Sequence, residues 1–212
     1  MAGGGYEHPL IGSGTLQEFN NPLALRRALD RGVRIIVAHC ASTGMSIDTD
    51  RGGYGPKAEN FALFTRLMDD PRYRGKLYGD ISALTETSRV GPLLKYVIQR
   101  KDWHDRLLNG SDYPLPGYMP GVSVKHLIDQ DFITAAQGRI LREIRRYNPL
   151  LFDFVLKRHM AAGGTRFASS VFETAGFFNR ANVDNVAPSP FAAASMNSSS
   201  TVAANARRPR AS

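Results

Sequence analysis

The sequence predicts an α/β chain with parallel strands, and three observations predict it. Short, β-branched apolar runs recur along the chain as "VRIIVAHC", "KLYGDISAL" and "RLLNGSD". Amphipathic stretches separate them, so that strand follows strand at roughly thirty to forty residues, the pattern of right-handed βαβ units. No strand is followed by a glycine-rich phosphate turn: "GGG" at 3–5 and "RGGYG" at 51–55 match neither G-x-G-x-x-G nor a P-loop. A nucleotide-binding doubly wound sheet is thereby disfavoured, and a (β/α) barrel becomes the better template.

The elements follow in order. Asn21-Pro22 reads as a helix cap and a first-turn proline; Leu23, Leu25, Ala28 and Leu29 supply the apolar positions, and Gly32 marks the stop. "VRIIVAHC" is a buried strand because its apolar run is short, β-branched and unbroken. The helix through "NFALFTRLMDD" aligns Phe61, Phe64, Leu67 and Met68 on one face and ends before Pro71. "KLYGDISAL" is the second strand. A helix near 90–102 buries Leu93, Leu94, Val97 and Ile98, and "RLLNGSD" forms the third strand. A Pro/Gly-rich loop, "YPLPGYMPG", precedes helices near 123–129 and 135–146. A last helix opens at Asn148-Pro149 and carries Leu151, Phe152, Val155 and Leu156.

From Asn179 the composition turns to Ala, Ser and Asn with almost no large apolar residue. Such a segment buries too little to offset its ordering entropy, so residues 1–178 are expected to form the folded part and 179–212 a disordered tail. The net charge is +8, of which Arg180, Arg207, Arg208 and Arg210 against Asp184 place +3 in the tail and +5 elsewhere. The remaining basic residues are scattered over helices, as in "LRRAL" and "LREIRRY". They read as solvated faces, and a nucleic-acid partner is not expected. No run approaches the ~18 apolar residues of a membrane span and no leader pattern opens the chain, so the expected location is the cytoplasm. The lone Cys40 cannot form an internal disulfide, which agrees with a reducing compartment.

In parallel α/β folds reactive groups gather at the carboxyl ends of strands. Each strand here ends on such a group: His39, Asp80 and Asp112. Singly, each has an ordinary reading as a core histidine or a turn-capping aspartate. Three in register at one sheet edge point to a site. Tyr113 and Tyr118 beside Asp112, Thr43 after His39 and Thr85 after Asp80 are candidates to line it. His104, after Trp103, reads as a helix-terminal residue rather than a ligand.

"IIVAHCAS", "LYGDISALT" and above all "RLLNGSDYPLPG" resemble the last three strand ends of the metal-dependent amidohydrolase superfamily, in its amidohydrolase-related branch. The resemblance covers roughly residues 1–178. It implies a (β/α)8 barrel, of which this chain would form the carboxyl-terminal part, and a divalent metal, usually zinc, that activates water against amide or ester bonds. His39 matches the histidine ending strand six, a metal ligand or a holder of the substrate's oxygen. Asp112 matches the aspartate ending strand eight, a ligand that also takes the proton of the attacking water. Asp80 matches no general ligand position and is expected to orient a neighbour or to touch substrate, with Tyr113 and Tyr118.

Departures from that family pattern are equally legible. The family's His-x-His pair is absent; the histidines are His8, His39, His104, His126 and His159. A complete barrel takes ~250 residues, whereas this sequence yields three convincing strands. The expectation is therefore a truncated, catalytically incomplete hydrolase of this type, with a small-molecule substrate and self-association through an exposed barrel edge. Two alternatives remain open: a carbon–carbon decarboxylase of the same branch, and a non-enzymatic half-barrel that binds a partner.

Overall fold

The computed structural model describes residues 20–179; all but Asn179 of the tail expected at 179–212, and the amino-terminal stretch that includes His8, lie outside the described residues. One compact unit runs to Thr174, and a second begins at Ala175.

In the first unit, Asn21 accepts a hydrogen bond from the Leu23 amide at 3.0 Å, and Pro22 opens a 3-10 turn, Pro22–Leu25. The turn runs into helix α1, Arg26–Leu29. Strand β1 is Ile35–Val37. Strands β2, Met45–Ile47, and β3, Lys57–Glu59, form an antiparallel hairpin leading into α2, Asn60–Asp69. Then come β4, Leu77–Asp80; α3, Pro92–Gln99; and β5, Leu107–Leu108. Helices α4, Val124–Asp129, α5, Ala135–Tyr147, and α6, Pro149–His159, complete the order. A capping box joins Thr134 and Gln137 at the start of α5, and Asn148 caps α6 by accepting from the Leu151 amide at 2.9 Å. In the second unit the described element is α7, Ala175–Phe178, where the rings of Phe177 and Phe178 meet edge to face.

The three expected strands form one parallel sheet in the order β1-β4-β5, with Ile36 opposite Tyr78 and Asp80 opposite Leu108. The fold is mixed α/β, and no closed barrel occurs among the described residues. One face of the sheet meets the core. Leu77 and Gly79 are buried while Tyr78 and Asp80 are half-buried, and Ile35 and Val37 pack against the core cluster. Helices α2 and α3 bury Leu63, Phe64, Leu67 and Met68, and Leu94, Val97 and Ile98, respectively. Phe61 and Leu93 pack on the core only partly buried. Trp103 is fully buried, donates its indole N–H to Asp69 at 3.0 Å, and meets Phe64 edge to face.

Two features differ from the sequence reading. The hairpin was not expected, because "MSI" and "KAE" carry little apolar alternation. Its position comes from charge: buried Asp48 accepts from both terminal nitrogens of Arg66 on α2, at 2.8 and 2.9 Å, and Asp50 bridges Arg66 and Arg26. The strands are also shorter than their apolar runs. β1 stops at Val37 because His39, Cys40 and Ala41 all take left-handed backbone angles, at φ of 53°, 51° and 51°, a conformation that ends pairing.

Candidate functional site at the strand ends

The turn that ends β1 is held from β4. The carboxylate of Asp80 accepts the amide N–H of His39 at 3.0 Å and that of Ser82 at 3.0 Å, while the Cys40 thiol donates to the Asp80 carbonyl at 3.2 Å. Gly79 makes this possible, since a Cβ there would lie 2.8 Å from the Cys40 sulfur and 2.9 Å from the Phe64 ring. Three successive left-handed residues, unfavourable in themselves, are thus fixed by one carboxylate and one glycine.

This turn places the His39 imidazole between two carboxylates. Nδ1 is 3.6 Å from Asp80, and Nε2 is 3.7 Å from Asp112, which itself sits at φ 53° beyond β5. Nδ1 lies 2.7 Å from the Ser82 hydroxyl, and that hydroxyl donates in turn to Asp80. Because the hydroxyl proton goes to Asp80, its oxygen accepts from Nδ1–H. In the neutral ring the proton is therefore on Nδ1, and Nε2 turns a lone pair toward Asp112. The Asp80 carboxylate alongside raises the His39 pKa above its ordinary value; burial opposes this, and the Asp80 and Asp112 charges add to it. Burial by itself would raise Asp80, but the bonds from His39 and Ser82 together hold that carboxyl below the usual range.

Beneath the third strand end lies an ion pair absent from the sequence reading. Lys157 on α6, with no exposed side-chain surface, donates to Asp153 at 2.7 Å and to the Gly110 carbonyl at 2.6 Å. It thereby ties down the segment 109–112 that follows β5. Burial lowers Lys157 and raises Asp153, each against the other's charge, and both feel Asp112. Gly110 approaches Ser82 so closely that a Cβ would sit 3.2 Å from the serine Cβ. The i, i+4 spacing of Asp153 and Lys157 within an apolar helix was the available signal. For Ser82 it was the hydroxyl two residues after a strand-end aspartate.

The other candidates are dispersed. Tyr113 and Tyr118 are exposed on the loop after β5, and among the described residues no hydrogen bond or ion pair joins either side chain to the cluster. Thr43 is exposed and Thr85 buried. His104 is buried in a 3-10 turn, with Nε2 against the Ile98 carbonyl at 3.0 Å and Nδ1 accepting from the Ala168 amide at 3.2 Å. Both its nitrogens are used, and burial lowers its pKa.

A divalent metal would find two converging donors here, His39 Nε2 and Asp112. The Asp80 oxygen nearest the imidazole is committed to the His39 amide and to Ser82. No group of three or more His, Cys, Asp or Glu able to hold a metal occurs among the described residues. A catalytic zinc takes three protein ligands and a water; these residues offer two. Comparison of the chain with protein-family models, curated proteins and solved structures finds no match. No helix among the described residues is long and apolar enough to cross a membrane.

Proposed function

We propose that the strand ends carry the water-activating part of a hydrolase of the metal-dependent amidohydrolase type, within the wall of a (β/α)8 barrel. The observation that carries this reading is the His39 imidazole held between Asp80 and Asp112 at neighbouring ends of parallel strands. A parallel sheet is ordinarily covered on both faces. Coverage of one face by helices and partial exposure of the other suits a segment of barrel wall. Asp112 accepts the proton of the attacking water, and the Nε2 lone pair of His39 faces the same space. Asp80 and Ser82 fix the imidazole tautomer and so act as positioning residues. Tyr113 and Tyr118 supply aromatic contacts to a small-molecule substrate. The described residues offer two of the three protein ligands that a catalytic zinc takes, so weak zinc binding and no hydrolase turnover are the expected outcomes for the chain by itself.

The test is competition for zinc against a chromophoric chelator, with the 212-residue chain, Asp112→Asn and His39→Ala, beside assays on amide and ester substrates. Weak retention that disappears in both variants is expected. Equal retention in wild type and both variants would remove the strand ends from metal chemistry, and tight one-to-one zinc with turnover would overturn the incompleteness of the site.

A further inference from the structure

We infer that a second site, a basic cleft between α4, α5 and the loop that precedes α4, binds a small organic phosphate. It is independent of the hydrolase reading and uses none of the strand-end residues. The cleft has a volume of about 390 Å³ and is walled by Lys125, Arg142, Arg145 and Arg146, with Ser123 at its edge, a size suited to a small ligand.

The charge balance selects the ligand. Lys125 is paired with Asp129 at 2.7 Å, and Arg146 lies 3.5 Å from Glu143. Arg145 is held by neutral groups: it donates to the carbonyls of Val122 at 2.7 Å and Tyr118 at 2.8 Å, and its guanidinium lies over the Phe152 ring. Those carbonyls fix its direction, and among the described residues no carboxylate pairs with its charge. Arg142 is exposed and has no carboxylate partner among the described residues. Two such guanidinium charges on one wall match a dianion, and a phosphate monoester carries about −1.5 to −2 at neutral pH. Guanidinium groups also fit phosphate oxygens in a bidentate manner. The Ser123 oxygen accepts from the His126 amide at 3.2 Å, which leaves its proton for a ligand oxygen. Met119 and Val124 give the cleft an apolar side, suited to the organic part of a monoester.

Isothermal titration of the 212-residue chain with phenyl phosphate, and separately with inorganic phosphate, tests this. Saturable binding is expected with both, tighter for phenyl phosphate. Arg142→Gln should weaken phenyl phosphate by about tenfold, the scale of one lost charge-assisted contact, and Arg146→Gln should weaken it less. Arg27→Gln, an exposed position outside the cleft, should change nothing. Arg142 makes no side-chain bond that its replacement would remove among the described residues, so the variant should keep the far-ultraviolet circular dichroism of wild type. The inference is overturned by absent saturation at millimolar phenyl phosphate or by equal weakening in Arg27→Gln. Binding confined to a single-stranded oligonucleotide, with phenyl phosphate inert, would also overturn it and make the face a nucleic-acid surface.

Discussion

His39 and His104 stand in opposite surroundings, and their titrations should separate accordingly. His39 has a carboxylate on each side; His104 has a carbonyl and an amide, inside the core. In a two-dimensional imidazole NMR titration, His39 should titrate above the ordinary 6.5 and His104 below it. Replacing Asp80 by Asn keeps an oxygen for the His39 and Ser82 amides but removes the charge. Burial then outweighs the remaining Asp112, and the His39 value should fall to or below the ordinary one; an unchanged value would show that Asp80 does not control the ring. The two residues also move stability in opposite directions. His39 holds its proton more tightly folded than unfolded, so its contribution is complete below pH ~6.5 and is lost as pH rises through its raised folded value. The contribution of His104 is complete above that ordinary value and is lost as pH falls through its depressed folded value.

Among the elements, β4 carries the largest share of the site, and its glycine is the reason. Cys40 Sγ, the Phe64 ring and a Leu107 methyl would lie 2.8, 2.9 and 3.4 Å from a Cβ on Gly79. Gly79→Ala should therefore destabilise the chain by ~1–3 kcal/mol, the usual cost of overpacking a filled core, read as a lower urea midpoint. A neutral result would mean that Cys40 can move away without loosening the turn it anchors. The three parallel strands and the order of the helices were legible because apolar runs, Asn-Pro caps and prolines act locally. So was the meeting of His39, Asp80 and Asp112, since register in a parallel sheet brings successive strand ends together. The hairpin was not legible: its placement rests on Arg26, Asp48, Asp50 and Arg66, which lie as much as 40 residues apart in sequence and show no period. Nor was the left-handed turn at His39–Ala41, because none of those residues is a glycine.

At the scale of the whole parallel sheet, the two edges differ. Beyond β5, the Asn109 amide donates to the Val171 carbonyl at 2.8 Å, so a following segment closes that side. Beyond β1 no further strand pairs among the described residues, and all three of its residues are only half-buried. Ile35 and Val37 turn to the core; Ile36 lies on the opposite face, in register with Tyr78. Among the described residues no strand pairs with this edge, and an edge whose strand residues Ile35–Val37 are uncharged, with an isoleucine on its open face, is a template for another strand. The chain should therefore associate with itself, giving a weight-average mass in sedimentation velocity that rises above 23.3 kDa with concentration. Ile36→Lys puts a charge on the edge without touching the core contacts of Ile35 and Val37, and it should return the protein toward monomer. A wild-type chain that stays monomeric across the whole concentration range would mean that β1 is already covered, and would remove the open edge as a reason to expect a partner.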